Sequence, residues 1–251
     1  MCLHGFTGSG CDFEPIARSF ACIALDLIGH GSSPKPTQAG AYSFAEQNAS
    51  IWQTVQAQHL QRPILLGYSM GGRLALQLAC TKPQAFSGLV LIGASAGLRS
   101  ASEREMRRRA DHELAASIEQ KGTSWFAQHW SRQPIIQSQG RIPDPWKTSM
   151  QQRQQSNAPH ALAMTLRQAG TGSMLPLWDT LTEISLPTLL VTGCEDTKFN
   201  AIANEMTALL PRAQHVQLEG AGHCAHLENM AAFSTALQHF LSDWDERSLN
   251  G

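Results

Sequence analysis

Short apolar runs recur along the chain, and between them apolar residues return every three or four positions. The runs Ala21–Leu27, Ile64–Gly67, Leu89–Gly93, Thr188–Gly193 and His215–Leu218 have the branched, leucine-rich look of strands buried on both faces. The segments between them predict helices. Ser43-Phe44-Ala45-Glu46 reads as a capping box opening a helix to about His59, followed by helices at Gly71–Thr81, Asn200–Leu210 and about Asn229 to Trp244. Strand and helix in alternation predict an α/β fold with a mostly parallel central sheet flanked by helices.

One stretch breaks the alternation. From Leu98 to Trp178 there is no strand signal, only helical patterns punctuated by Pro134, Pro143, Pro145 and Pro159, with Ser102-Glu103-Arg104-Glu105 as a second expected capping box. An insertion of this size reads as a helical cap (98–178) over a pocket, with 1–97 and 179–251 forming the core. A further strand should end at His4-Gly5, yet only Met1, Cys2 and Leu3 precede it. The expectation is that N-terminal strands are truncated.

Composition narrows the class. With 42% hydrophobic and 16% charged residues the chain suits a globular enzyme, and a net charge of −1 gives no basic surface for nucleic acid. No apolar run approaches a membrane span of roughly 18 residues. Six cysteines without a C-x-x-C pair read as reduced thiols in a cytosol, and no signal-peptide pattern opens the chain. A cytoplasmic monomer is expected.

The chemistry gathers at three places. Gly67-Tyr68-Ser69-Met70-Gly71 lies between a strand run and a helical run, the strand–turn–helix setting of a G-x-S-x-G nucleophile elbow. Gly67 and Gly71 leave room for strand and helix to approach, and Ser69 then stands at a helix N-terminus that favours developing negative charge. Asp196 follows the run Thr188–Gly193 and is the first choice as acid, with Glu195 beside it as the alternative. His223 ends the loop Gly220-Ala221-Gly222 and completes the order Ser, Asp, His. A Gly-Ser loop alone would be an ordinary turn; the companions make it a candidate triad. The oxyanion hole should use the backbone N–H of Met70 and of Phe6, the latter in the loop after the first strand. His226 could suggest a metal pair with His223, but no further ligand completes it, and no metal or other cofactor is expected. His30 reads as a structural loop histidine.

Charge adds a substrate hint. Residues 98–178 hold eleven basic and six acidic side chains, against eight and fourteen elsewhere, so an anionic substrate is expected between cap and core. Arg73 lies one turn into the elbow helix, where an arginine is costly unless something anionic meets it. Arg107 can equally belong to the surface pairs Glu103–Arg107, Glu105–Arg109 and Arg107–Asp111. Arg153 is a weaker candidate; Tyr68 and Trp130 could line a pocket.

The segments Leu3-His4-Gly5-Phe6-Thr7-Gly8, Gly67-Tyr68-Ser69-Met70-Gly71-Gly72-Arg73, Gly193-Cys194-Glu195-Asp196-Thr197-Lys198-Phe199 and Gly222-His223-Cys224-Ala225-His226-Leu227-Glu228-Asn229 together resemble a menaquinone-pathway lyase family, the 2-succinyl-6-hydroxy-2,4-cyclohexadiene-1-carboxylate synthases of the α/β-hydrolase superfamily. The resemblance extends through Glu103…Arg107…Asp111 and Trp130…Gln133-Pro134. It implies elimination of pyruvate from a ring bearing carboxylate, succinyl and enolpyruvyl groups, in menaquinone or phylloquinone biosynthesis, without cofactor. Ser69, Asp196 and His223 would form the triad, Phe6 and Met70 the oxyanion hole, and Tyr68, Arg73, Arg107, Trp130 and Arg153 would bind a polycarboxylate. The same triad could instead serve a carboxylesterase or thioesterase with an acyl-enzyme at Ser69. A non-catalytic binding protein of this fold is the third reading, and the intact triad argues against it.

Overall fold

A computed structural model describes residues 1–249, with side chains described through residue 243. Six strands, all parallel, form one sheet: β1 Cys2–Leu3, β2 Ala24–Leu25, β3 Ile64–Tyr68, β4 Gly88–Ile92, β5 Thr188–Gly193 and β6 Ala213–Leu218. Their order across the sheet is β2-β1-β3-β4-β5-β6. The chain therefore steps one way from β1 and the other way from β3. The crevice at the carboxyl ends of β1 and β3 is the switch point where open α/β sheets bind ligands.

The strand alternation sorts the core. In β4, Leu89 and Leu91 face a cluster containing Leu74 and Leu78 of the helix Met70–Thr81, while Val90 and Ile92 face Phe233, Leu237 and Phe240 of the helix Met230–Leu249. Both faces of the strand are dry, which is why its sequence lacks a polar alternate. The run Ala21–Leu27 shrinks to a two-residue strand, half-buried at the sheet edge, and β1 is equally short. β1 is nonetheless fastened: the Met1 ammonium donates to the Ile64 carbonyl at 2.8 Å, and the Leu66 N–H to the Met1 carbonyl at 2.8 Å.

Between β4 and β5 the described residues form only helices. The longest, Ala101–Ser131, breaks at Gly122, whose φ of 78° divides it in two. Ser100, not Ser102, caps it by accepting from the Glu103 N–H at 3.4 Å; Ser102 is already helical, and its hydroxyl lies 2.6 Å from that of Ser100. Ala115, Ile118 and Phe126 pack with Leu162, Ala163 and Leu166 of the helix Pro159–Ala169 in a cluster separate from the two sheet faces. Ser43 caps Phe44–Ala57 as expected, through the Glu46 N–H at 3.3 Å.

Candidate active site

The bend between β3 and the helix Met70–Thr81 holds Ser69 at φ 50° and ψ −105°, a positive φ that a residue with a side chain adopts only under constraint. The constraint is close approach of backbone. A Cβ at Gly67 would fall on the carbonyl of Gly71, and one at Gly71 on the carbonyl oxygen of Leu3. Helix, β3 and β1 thus meet without side chains between them, and the Ser69 hydroxyl is lifted to the switch point.

His223 lies with Nε2 3.1 Å from Ser69 Oγ and donates from Nδ1 to Asp196 Oδ2 at 2.7 Å. Asp196 also caps the helix Thr197–Leu209, its Oδ1 accepting from the Phe199 N–H at 3.3 Å. That second bond fixes the carboxylate's rotation. Glu195, the alternative acid, points away and pairs with Arg141 at 2.7 Å near the surface. The three side chains expected to meet do so across 154 and 27 residues of sequence.

The loop after β1 is set by His4. Buried completely, it donates from Nδ1 to the Gly5 carbonyl at 2.8 Å and accepts at Nε2 from the Leu27 N–H at 3.0 Å, a pattern only the neutral ring can make. Burial lowers its pKa accordingly. Among the described residues neither the Phe6 nor the Met70 N–H donates to a protein acceptor. Phe6 and Met70 line the same cavity as Ser69.

These groups open on a cavity of about 210 Å³ lined by Phe6, Ser69, Arg73, Arg107, Trp130 and His223, among others. Arg73 is 8% exposed, its Nη1 donates to Thr171 Oγ1 at 2.6 Å, and no carboxylate pairs with it among the described residues. Burial first, and then the neighbouring Arg107, lower its pKa to about 10, against a smaller opposing pull from Asp111. Arg107 donates from Nε to Asp111 Oδ1 at 2.8 Å. Glu105 binds both Arg108 and Arg109, while Glu103 pairs with none of these arginines among the described residues. Tyr68 lines the cavity, and burial pushes its phenol well above the ordinary value. Trp130 meets Phe6 edge-on at 5.6 Å and Phe126 at 5.4 Å, so it serves both the packing of the helical segment and the cavity wall.

Arg153 departs from expectation. It does not line the cavity; its Nη2 is held 2.6 Å from Asp12 Oδ1, and it is Asp12 that reaches the wall. A carboxylate 141 residues away neutralises the charge, and nothing in the local sequence around Arg153 signals it. Asp12, Gln139 and Lys198 also line the cavity. Lys198 lies in the segment Gly193–Phe199 that follows β5, whereas Asp12 and Gln139 carry no sequence signal. His226 is buried against Phe13 and Tyr68, and burial lowers its pKa to about 3. Among the described residues no cluster of three or more His, Cys, Asp or Glu could hold a metal ion. His30 is likewise buried in the packing, its pKa lowered to about 3 by burial, and it touches Phe6 edge-on at 6.2 Å. No helix among the described residues is long and apolar enough to cross a membrane.

Comparison with known proteins agrees with the fold. Residues 1–230 match the α/β hydrolase fold family. A Bacillus subtilis (strain 168) protein is 34% identical over 96% of this chain and 89% of its own length. The 2-succinyl-6-hydroxy-2,4-cyclohexadiene-1-carboxylate synthase of Serratia proteamaculans (strain 568) is 30% identical, over 95% of this chain and 91% of its own. The structure of MenH from S. aureus superposes with a TM-score of 0.91 at 30% identity, covering 97% of this chain and 93% of that one.

Proposed function

The chain belongs to the α/β hydrolase fold family, and from that premise we propose that it eliminates pyruvate from 2-succinyl-5-enolpyruvyl-6-hydroxy-3-cyclohexene-1-carboxylate to give 2-succinyl-6-hydroxy-2,4-cyclohexadiene-1-carboxylate. Its relationship to the Serratia synthase supports a menaquinone-pathway enzyme. The observation that carries the choice of substrate is Arg73: a buried guanidinium in the cavity that holds Ser69, without a direct ion pair among the described residues and sharing the nearby Asp111 with Arg107. One carboxylate between two guanidinium groups leaves a buried positive charge in excess, which is costly, and a carboxylate substrate offsets that cost on binding.

In this reading His223 takes the Ser69 proton, and the alkoxide removes a proton from the ring carbon that bears the succinyl group. The electron pair moves into the succinyl ketone, whose oxygen the Phe6 and Met70 N–H groups receive. Collapse of that enolate breaks the ring C–O bond and expels the enolate of pyruvate, which takes the proton held by the His223 imidazolium and tautomerises to pyruvate. Asp196 holds the imidazole in the tautomer that accepts at Nε2 and stabilises the imidazolium. Arg73 and Arg107 take substrate carboxylates, with Tyr68 and Trp130 shaping the cavity under a cap of residues 98–178. Arg153 joins them only if substrate draws it from Asp12.

The same triad geometry also favours acyl transfer, so a carboxylesterase or thioesterase is the second reading. Pyruvate release from the authentic substrate, lost in Ser69→Ala and His223→Ala, supports the lyase. A burst of leaving group from a chromogenic ester, with an acyl group trapped on Ser69 and no pyruvate from the authentic substrate, supports the esterase.

A further inference from the structure

Glu228 lies in the segment Gly222–Asn229, five residues after His223, and takes no part in the elimination itself. It ends the short helix Ala225–Glu228 and turns its partly buried carboxylate back over the His223 loop. One oxygen accepts from the Gly222 N–H at 2.6 Å. The other accepts from the Cys224 N–H at 3.1 Å and from the Ser138 hydroxyl at 2.9 Å. The residues on either side of His223 are therefore held by one carboxylate, while Asp196 holds the ring itself.

The Ser138 bond extends this hold into the helical segment. The 3-10 turn Ser138–Arg141 lies against both loops that carry the triad's acid and base: Arg141 pairs with Glu195 at 2.7 Å and donates to the Gly220 carbonyl at 3.4 Å. A Cβ at Gly222 would strike the Ser138 side chain, so loop and turn pack with no space to spare.

We infer that Glu228 is the positioning residue for His223, fixing the backbone on both sides of the base and tying that geometry to the docked turn Ser138–Arg141. The inference rests on the reading of Ser69 and His223 as nucleophile and base. It follows from the donor and acceptor inventory: two backbone N–H groups and a hydroxyl converge on one side chain, and only a carboxylate offers two acceptor oxygens to them. A glutamine offers one oxygen and turns an NH2 donor toward the other N–H, so the loop must rotate away on one side.

Phosphonylation of Ser69 by a small fluorophosphonate tests this without the natural substrate. Ser69 Oγ forms the bond to phosphorus, fluoride leaves, and the serine proton passes to His223, so the rate reads the Ser69–His223 geometry. E228Q should react roughly ten- to a hundredfold more slowly than wild type, since small misplacements of a catalytic group cost on that order. Its kcat for pyruvate release should fall in parallel with KM little changed, and the low-field proton resonance of the His223–Asp196 hydrogen bond should broaden or vanish. A folded E228Q with wild-type phosphonylation rate and an unchanged resonance overturns the inference, whatever happens to turnover. If E228Q does not fold, Glu228→Asp retains the charge and withdraws both oxygens by one methylene; a wild-type rate there overturns the inference equally. A wild-type enzyme that is not phosphonylated removes the triad reading itself, and with it this one.

Discussion

Replacing Arg73 with methionine separates what this residue contributes to the fold from what it contributes to the substrate. Burial lowers the guanidinium's pKa from the ordinary arginine value to about 10. Keeping the charge in the folded chain therefore costs on the order of 3 kcal/mol. The sign follows from linkage. The folded-state pKa lies below the unfolded one, so the penalty is fully present at neutral pH and is relieved only as pH rises above about 10. Methionine removes the charge together with the guanidinium's contact over the Phe44 ring, and leaves Thr171 Oγ1 without its 2.6 Å donor, which returns about 1–2 kcal/mol of the gain. Arg73→Met should therefore be more stable than wild type by about 1–2 kcal/mol, raising Tm by about 2–6 °C for a chain of this size. Its kcat/KM for the carboxylate substrate should fall by about 2–5 kcal/mol, the cost of stranding a buried charge partner. Urea unfolding and pyruvate release measured on one preparation provide both numbers. A variant less stable than wild type by more than about 1 kcal/mol would show the charge to be satisfied within the fold, and unchanged kcat/KM would remove Arg73 from the substrate site.

Three more outcomes follow from the same geometry. Asp196→Asn should leave KM near wild type and lower kcat by about 10⁴, because the imidazole then settles in the wrong tautomer; steady-state kinetics of pyruvate release check it. Gly71→Ala should destabilise the fold by about 3 kcal/mol or more, since its methyl falls on the Leu3 carbonyl oxygen, and thermal unfolding reads this directly. His226 has a folded-state pKa of about 3, below its unfolded value, so its neutral form costs nothing above pH 6.5 and stability is lost as pH falls from there. His226→Phe should flatten the loss by about 1.4 kcal/mol per pH unit between pH 6 and 4, measured as the wild-type-minus-variant difference in urea unfolding.

Much of this was legible in the residues, and the limits have physical causes. The strands β3, β4 and β5 lie where apolar runs predict them because both faces are covered, so each position reports burial. The edge strand β2 is two residues within a seven-residue run because an apolar stretch shows hydrophobicity and not how many residues find a pairing partner. Ser69, Asp196 and His223 could be found since each sits at a strand end or in a glycine-bounded loop whose local pattern is restrictive. Asp12 and Glu228 could not be given roles, because what they do depends on a partner brought close by the fold: Arg153 for one, the Ser138 turn for the other. Arg107 shows the same limit from the opposite side. Its i,i+4 pair with Asp111 forms as the bland reading expects, and Arg107 lines the cavity all the same. Sequence spacing finds the pair, but it does not tell which side of the pair faces a ligand.

The central claim is that Ser69, once deprotonated, takes a hydrogen from the ring carbon bearing the succinyl group. Pyruvate release in a single turnover, compared between ordinary substrate and substrate deuterated at that carbon, tests it directly. A slower release from the deuterated substrate, with no mass added to Ser69, is the predicted result; equal rates together with a covalent adduct on Ser69 would contradict it.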